Sequence, residues 1–437
     1  MRIINVKDEG EFMCGFIRGI CLTTMLAWGL ASQAQTAKPL TWDEVRARFE
    51  ANNPTLAAGE LGIDESKAEE ITAYLRPNPQ ASVGVDQVGV TSKGPFSQAI
   101  LLASVSYLHE RQHKRELRLE SAQKGTAIAV SGQADLERNL IFTLRSAFVN
   151  TLQAKAVLKV AQDNLAYWDQ VLKISKDRYD AGDIAQIDFQ RLDLQRVQFE
   201  SDVQTADVNL RTAKIQLLML LNDRSPVDQF DVLGLFEFSG QLKPLDEYRQ
   251  IAMDNRPDLK EAVQSLDKSK TDHQLAVANG STDPTITIDA GFPTVSRDYV
   301  NYTPFLYEYV GAGFSIPLRI FDRNQGEKQR TEIDISRNQK LLDAQRAQVF
   351  SDVDSAYALV NSNIILLRPY KAKYLAEATT VRDTMKFSYD HGGASLLDFL
   401  SAENDYRSVQ LNYVNLVGAY LLAAAQLNMA AGREVIQ

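Results

Sequence analysis

Cysteine and histidine are both scarce in this sequence. Of 437 residues only two are cysteines, Cys14 and Cys21, and only four are histidines. Both cysteines lie near the N-terminus, so the rest of the chain cannot form a disulfide. A chain that is exported without disulfides must be stabilised by buried apolar surface or by oligomerisation.

A basic excess and long apolar runs are also lacking. The 47 Lys and Arg residues face 56 Asp and Glu residues, which gives a formal net charge of −9 at pH 7. Nucleic-acid-binding domains usually carry a basic patch, so this balance argues against nucleic acid as a partner. Beyond the N-terminal region no segment approaches 18 uninterrupted apolar residues, which predicts no transmembrane helix. Strands that cross an outer membrane have a much weaker sequence signal, so this test does not exclude them.

The N-terminus has the pattern of a secretory signal peptide. From Met13 one arginine precedes a short apolar run and then small residues, with Ser32 and Ala34 in the small-x-small cleavage pattern. We therefore expect a signal peptide at residues 1–34. The charged residues before this pattern do not belong to it, so both Met1 and Met13 are candidate starts.

The rest of the chain contains an internal duplication. RYDAGDIAQIDF at residues 178–189 resembles SYDHGGASLLDF at residues 388–399, sharing Tyr, Asp, Gly, Asp and Phe at an offset of 210. Two further pairs of segments recur in the same order. The sequence therefore predicts two repeats and a link between them: a first repeat at 40–222, an irregular connector at 223–242 and a second repeat at 243–432.

Each repeat shows the same succession of periodic patterns. A helix of about 35 residues comes first, and in the first repeat Thr41 and Glu44 have the spacing of a capping box. Two alternating segments follow, apolar on one face and small or polar on the other. They suit membrane-barrel strands and equally a hairpin in a soluble domain. Apolar residues then recur at spacings of 4 and 3, which predicts two long packed helices, the first about 100 Å long.

The motif Tyr-Asp-x-Gly joins the two long helices of each repeat, beginning at Tyr179 and at Tyr389. Its glycines, Gly182 and Gly392, can adopt the left-handed conformation that ends a helix. An aspartate follows early in each return helix, Asp188 or Asp398, where the helix macrodipole favours an acid. We therefore expect a helical hairpin with a tight tip in each repeat.

Four strands per chain raise a problem of closure. They cannot close a barrel, and an open sheet edge is not stable in lipid. If the strands cross a membrane, several chains must contribute. Three copies would supply twelve strands, an even number as in known barrels.

The order of these elements, the Tyr-Asp-x-Gly tips and the stretch GFSIPLRIFDRNQGE at residues 313–327 resemble the TolC family of outer-membrane efflux proteins. The resemblance covers nearly the whole chain after the signal peptide. Its Ile-Pro-Leu and Phe-Asp-Arg-Asn-Gln-Gly parts are most similar to the heavy-metal (cobalt–zinc–cadmium) branch.

The resemblance implies a mainly α-helical fold with membrane β-strands. A homotrimer would form a 12-stranded barrel in outer-membrane lipid, on a long periplasmic helical barrel. It further implies a non-enzymatic efflux duct without cofactors, working with a periplasmic adaptor protein and an inner-membrane pump. Heavy-metal cations are the expected cargo, and a duct for drug efflux or type I secretion is the alternative. A soluble adaptor with helical hairpins would carry more short strands.

The resemblance also assigns gate positions. Tyr389, Gly392 and Asp398 match the family's gate motif, with Tyr179, Gly182 and Asp188 as their counterparts in the first repeat. Two positions depart from the family pattern: Ala394 stands where members carry Arg, and Ser401 where they carry a second acid. The expected acidic ring at the constriction therefore depends on Asp398 alone in each subunit.

The segment HERQH at residues 109–113 is a competing signature. Two histidines four apart, His109 and His113, with a glutamate after the first form the zincin metalloprotease pattern. Such a site needs these residues on one helix and a third ligand. Aligning the repeats instead places them where a strand passes into a helix, and Glu137 lies more than six turns further along. We therefore expect neither a metal site nor an enzyme, with a zinc metalloprotease as the remote alternative.

Overall fold

The computed structural model describes residues 38–86, 100–293 and 308–436, so the expected signal peptide lies outside the described residues. The elements are α1 (Trp42–Asn52), α2 (Pro54–Tyr74), β1 (Gln80–Asp86), β2 (Ile100–Leu108), α3 (Lys114–Asp180), α4 (Gln186–Leu220), α5 (Leu245–Asn255), α6 (Pro257–Asn279), β3 (Thr285–Pro293), β4 (Tyr309–Ser315), α7 (Gln325–Pro369), α8 (Leu375–Asp390) and α9 (Leu396–Ala431). The predicted combination of long helices with two pairs of strands is confirmed.

The single first helix that was predicted for each half is wrong, because a proline divides it into two. Asn53 and Arg256 each precede a proline and have extended backbone, with ψ of 116° and 121°. The proline ring disfavours helical conformation at the residue before it, so the helix ends there. At the start of α1 the predicted capping box of Thr41 and Glu44 is present.

Polar contacts hold both breaks in place. The Asn53 side chain accepts hydrogen bonds from the backbone N–H groups of Thr55 and Leu56, which begin α2. Arg256 is buried and forms ion pairs with Asp258 and Asp352, which joins the start of α6 to α7. Each pair of short helices is thereby fixed against the long helices beside it.

The four strands form one antiparallel sheet in the order β1-β2-β3-β4. Residues directly opposite each other share a face of the sheet, and the register pairs Val85 with Leu101, Leu101 with Phe292, and Ile288 with Ala312. One face is therefore apolar across all four strands while its side chains stay exposed in the single chain. We call this the apolar sheet face, and its exposed members are Val83, Val85, Leu101, Val105, Ile286, Ile288, Phe292, Val310 and Phe314.

The opposite face of the sheet is mostly small and polar. The Ser82 and Ser104 hydroxyls lie 2.8 Å apart on it, and Thr287 and Asp289 follow on β3. Among the described residues, β1 and β4 each pair on one side only. A single chain thus presents two open edges.

Long helices extend from the sheet. Helix α3 has 67 residues, so it is about 100 Å long, as the sequence predicted. The corresponding rod of the second half is interrupted, because α7 ends at Pro369 and a π-helical turn, Tyr370–Tyr374, leads into α8. Proline removes a backbone donor from the helix, and the wider turn accommodates that loss.

Buried apolar side chains form three clusters along the length of the protein. One lies between α1, α3, α4 and the connector, where Leu40 forms a parallel bridge with Val232. A second joins α5, α6, α7 and α9 and includes the fully buried Leu427. The third lies near the ends of α3, α4, α8 and α9, around Trp168 and Phe399. The third cluster brings the two long hairpins together.

Helix α9 is the most apolar of the described helices. It is the one helix in the described ranges that is long and apolar enough to cross a membrane by length and composition alone. Its most apolar window has a mean hydropathy of 1.3, and 61% of that window is buried inside the protein. The sequence argument against a transmembrane helix counted uninterrupted apolar residues. Helix α9 has no such run, yet its average hydropathy is high enough to pass a test based on length and composition. Packing against α3 and α7 accounts for this composition.

If the apolar sheet face contacts lipid, a charge there will prevent stable assembly. Ile288→Arg is expected to reduce the folded protein recovered in the outer-membrane fraction, because an arginine near the bilayer midplane costs about 2–4 kcal/mol. The matched control Thr287→Arg lies on the opposite face of the same strand and should assemble nearly normally. Equal recovery of the two variants, measured by the protease-resistant protein in that fraction, would contradict this orientation.

Candidate functional site at the hairpin tips

Each tip is a short turn closed by a glycine in the left-handed region. Gly182 has φ of 85° and Gly392 has φ of 73°. Their N–H groups donate to the carbonyl oxygens of Tyr179 and Tyr389, at 3.0 and 3.2 Å. A Cβ atom at either glycine would meet no atom within 4 Å. The backbone conformation, and not lack of space, therefore requires glycine here.

Tyr389 is the more deeply placed of the two tip tyrosines. Its ring is buried and stacks on Phe399, with centroids 5.5 Å apart and planes 9° apart. Within the described ranges its hydroxyl has no hydrogen-bond partner. Burial raises the pKa of Tyr389, with the Arg178 cation opposing and Asp188 and Asp390 adding to the rise. Residues of both hairpins therefore surround this hydroxyl.

Tyr179, the counterpart in the first half, has a different environment. It is half-buried and stacks on Phe189 of the following helix, with centroids 5.4 Å apart and planes 9° apart. This contact stays within its own hairpin. The two tips therefore share a turn but differ in depth.

An ion pair that sequence reasoning missed joins the two tips. Arg178 of α3 and Asp390 of α8 lie 3.5 Å apart, and the Arg178 guanidinium is 5.5 Å from the centre of the Tyr389 ring. Asp390 also pairs with Lys386 at 2.6 Å. Such a partly exposed pair contributes up to about 1 kcal/mol. The only sequence signal was an arginine before Tyr-Asp in one repeat, where the other has Ser388.

Asp398 is exposed and caps its own helix. Its Oδ2 accepts hydrogen bonds from the backbone N–H and the hydroxyl of Ser395, at 3.1 and 2.7 Å, and its own N–H donates to Ser395 Oγ. These hydrogen bonds hold the pKa of Asp398 below its usual value. Asp188 has the same place in α4, but Ala185 at the N-cap offers no side chain for such a cap. The two aspartates are not equivalent.

The two positions that depart from the family pattern lie beside these groups. The Ala394 N–H donates to the Ser388 carbonyl oxygen at 3.3 Å, so this residue belongs to the turn itself. Ser401 is exposed on α9, three residues beyond Asp398. The ion pair between Arg178 and Asp390, which joins the two hairpins, involves neither Ala394 nor Ser401.

An aromatic stack lies next to the tips, between α3, α4 and α9. Trp168 of α3 is fully buried between Phe199 of α4 and Phe399 of α9, with ring centroids at 5.0 and 6.0 Å. Its indole N–H donates to the Leu192 carbonyl oxygen at 3.1 Å. Because Phe399 also stacks on Tyr389, one continuous aromatic column runs from the hairpin interior to the second tip.

Glu403 is a buried group that sequence reasoning also missed. It lies on α9, is 2% exposed, and in the part of the chain that is described neither carboxyl oxygen has a hydrogen-bond partner. Burial raises the pKa of Glu403 to about 7, against the lowering effect of Arg382 and Arg407. The available signal was its spacing, four residues after Phe399, which places an acid at a core position of the helix.

The HERQH segment is not helical. It follows β2 and turns before α3 begins at Lys114, and His113 has φ of 55° with a side chain 88% exposed. Glu110 pairs with Arg118. The zincin reading, which needs His109 and His113 on one helix, is therefore wrong, and the predicted strand-to-helix junction is confirmed. The described residues contain no group of three or more His, Cys, Asp or Glu residues suited to a metal.

The same junction has a structural role. Lys114 is buried, and its ammonium lies 2.6 Å from an Asp283 carboxylate oxygen and 3.0 Å from the Ser281 carbonyl oxygen. The other Asp283 oxygen accepts from the Arg111 backbone N–H at 2.9 Å. These contacts fasten the start of α3 to the segment before β3, where sheet passes into rod.

Comparisons with known proteins agree with this architecture. A family profile described as outer membrane efflux protein matches residues 248–433. The chain is 22% identical over 404 residues to the cobalt-zinc-cadmium resistance protein CzcC of Cupriavidus metallidurans, covering 91% of each chain. It is 21% identical over 415 residues to the pyoverdine export outer membrane protein OpmQ of Pseudomonas aeruginosa, covering 89% of this chain and 84% of that one.

A solved structure shows the same fold. The crystal structure of CusC, which concerns conformational changes on folding and transmembrane channel formation, matches with a TM-score of 0.75 and 17% sequence identity. The match covers 92% of this chain and 96% of that one. The likeness therefore extends over sheet, rods and tips.

The tip glycines provide a test of local backbone strain. Gly392→Ala is expected to destabilise the turn by about 1–2 kcal/mol, because an L-residue is strained in the left-handed region. Gly393→Ala is the matched control, since Gly393 has no positive φ and an added Cβ would make ordinary contacts. Limited chymotrypsin digestion of the purified protein should cut the first variant faster at its tip, where Tyr389 and Leu397 flank the turn. Identical digestion of both variants would contradict the strain argument.

Proposed function

This chain belongs to the family of outer-membrane efflux proteins, and from that premise we infer how its parts act. It is a TolC-like outer-membrane efflux duct with a periplasmic helical extension. One observation supports a sheet that lies in the membrane: its apolar face is exposed in the single chain, while the opposite face is mostly small and polar. Lipid on one side and an aqueous lumen on the other suit this alternation.

The functional unit that we propose is a homotrimer. Open edges at β1 and β4 leave backbone groups without partners in the single chain's described sheet, and such groups are costly in lipid. Three chains would join these edges into about twelve strands. The long helices also carry exposed apolar side chains that a neighbouring copy would cover, among them Leu194, Val197, Val208 and Met219 on α4 and Ile333, Leu341 and Phe350 on α7.

We further propose that residues 40–222 and 243–432 are two repeats of one domain type. Each contributes two strands and one long hairpin to the assembly. The connector at 223–242 would form an equatorial layer, because its Val232 pairs with Leu40 and its Phe236 and Phe238 pack on the second cluster.

The tips form the proposed gate. Tyr389, Gly392 and Asp398 would line the periplasmic entrance, with Tyr179, Gly182 and Asp188 in the first repeat beside them. Three Asp398 carboxylates around a threefold axis would repel one another and attract cations. The Arg178–Asp390 ion pair would fasten the second hairpin to the first in each subunit.

Asp398→Asn separates the pore role from the capping role. Asparagine keeps an oxygen that can accept from Ser395 but carries no charge, so the helix cap is retained. In planar bilayers the variant channel should lose preference for cations over anions, while Asp163→Asn, an exposed site within α3, should not. Unchanged ion selectivity in Asp398→Asn would mean that Asp398 serves only as a cap.

The tips are also the proposed docking site for a periplasmic adaptor protein and an inner-membrane pump. We propose heavy-metal cations as the cargo, because the similarity to the cobalt-zinc-cadmium resistance protein spans 91% of both chains. An entrance lined by acids suits cations. A second candidate is an organic cargo, favoured by the 89% coverage in the match to the pyoverdine export protein.

Growth of a strain that lacks this chain would decide between the two cargoes. Loss of tolerance to Co²⁺, Zn²⁺ or Cd²⁺, restored by the wild-type chain and not by Ile288→Arg, is the expected result. Thr287→Arg, its matched control, should restore tolerance. Unaltered metal tolerance with loss of tolerance to organic toxicants, or loss of siderophore release, would instead favour the second candidate.

A further inference from the structure

A buried carboxyl group without a partner lies between the two long hairpins. Glu403 projects from α9 and is 2% exposed, yet both of its oxygens lack hydrogen-bond partners among the residues described. Burying an unpaired carboxylate is costly, so such a group is expected to take up a proton or to find another partner. No step of the proposed duct function uses this residue.

The cation of α8 that acts on Glu403 is already engaged. Arg382 of α8 donates to Asp383, with a distance of 2.7 Å. Its guanidinium lies between two tyrosine rings, 4.7 Å from the centre of Tyr167 of α3 and 4.0 Å from that of Tyr406 of α9. Three helices of the two hairpins therefore meet at this arginine, and it has no hydrogen bond to Glu403.

The second cation is engaged with the first hairpin. Arg407 of α9 forms an ion pair with Asp202 of α4 and lies 4.6 Å from the centre of the Phe199 ring. Glu403 is thus faced by titratable or charged groups from each side. They are Arg382 and Asp383 of α8, Arg407 of α9 and Tyr167 of α3, with Asp202 of α4 behind Arg407.

This environment makes the packing of the hairpins sensitive to protons. Burial raises the pKa of Glu403 from an ordinary 4.5 to about 7, and the two arginines offset only part of that rise. The packed form therefore binds the proton more tightly than a form in which Glu403 is solvated. Packing is favoured fully below about pH 4.5 and loses that advantage as the pH rises to about 7.

A break in the helix gives this hairpin a place to bend. Pro369 and the π-helical turn Tyr370–Tyr374 separate α7 from α8, whereas α3 is continuous over the same stretch of the first half. Arg382 lies between that break and the tip at Tyr389. Movement of α8 about the turn would separate Arg382 from Tyr167 and open Glu403 to water.

We propose that Glu403, Arg382 and Tyr167 form a proton-operated clasp between the two hairpins of each subunit. With Glu403 protonated the clasp holds α8 and α9 against α3 and α4. With Glu403 ionised the clasp loosens, and the second tip moves away from the first. This inference rests on the proposed role of the tips as the entrance of the duct.

Distance measurements on the full-length assembled protein test the clasp. Spin labels on cysteines introduced at Gln170 of α3 and Thr384 of α8, both exposed, report the separation of the hairpins, because the chain after residue 21 has no other cysteine. From about pH 5 to about pH 8 the longer-distance population should grow, with the ratio of loose to packed forms changing by up to about a hundred-fold. A distance distribution that is independent of pH would overturn the proposal.

A matched pair of variants assigns the effect. Glu403→Gln keeps the size and removes the ionisation, so it should stay packed at every pH. Asp405→Asn removes an exposed charge two residues away on the same helix and should titrate like the wild type. A Glu403→Gln protein that still titrates would overturn the role of Glu403. The titration of the wild-type protein stands as a test even if this variant does not assemble.

Conductance of the same preparations separates the clasp from the duct. A pH-dependent distance in a protein that forms no conducting channel would support the clasp and contradict the proposed function. A conducting channel whose hairpin distance ignores pH would overturn the clasp and leave the duct standing.

Discussion

The requirement that every backbone polar group be satisfied in lipid determines the rest of this structure. In the described part of the chain, four strands form a sheet with one apolar face and one mostly polar face, and they leave two open edges. In the proposed trimer other copies of the chain complete the sheet, and the long helices continue a shared wall. Composition follows from the same need, since a chain without disulfides after residue 21 is stabilised by three apolar clusters and by proposed contacts between copies.

The tips combine a rigid element with a weak one. The aromatic column of Trp168, Phe399 and Tyr389 joins the hairpins by burial, which has no pH dependence of its own. The Arg178–Asp390 pair is partly exposed and adds little energy, so it sets geometry more than stability. Between these lies a polar group that can change its charge, Glu403. A gate needs both kinds of contact, because apolar packing alone is hard to release and surface pairs alone are easily lost.

Most of the fold could be predicted from the sequence, because alternation and heptad spacing are local patterns. They gave the four strands, the rods and the glycine turns at Gly182 and Gly392. The breaks at Asn53 and Arg256 are local too, since a proline follows each. The contacts of Arg178 and Glu403 are different in kind. They depend on which residues of separate helices face each other, such as Arg178 and Asp390, about two hundred positions apart in the chain, and no single-segment pattern encodes that register.

The π-helical turn after Pro369 has a consequence for how the two halves divide mechanical work. In a ring built from three copies, continuous helices such as α3 would alternate with interrupted helices such as α7 and α8. In the proposed trimer, Pro369 and the π-helical turn would therefore let the tip of the second hairpin bend while the continuous α3 helices keep the wall in place.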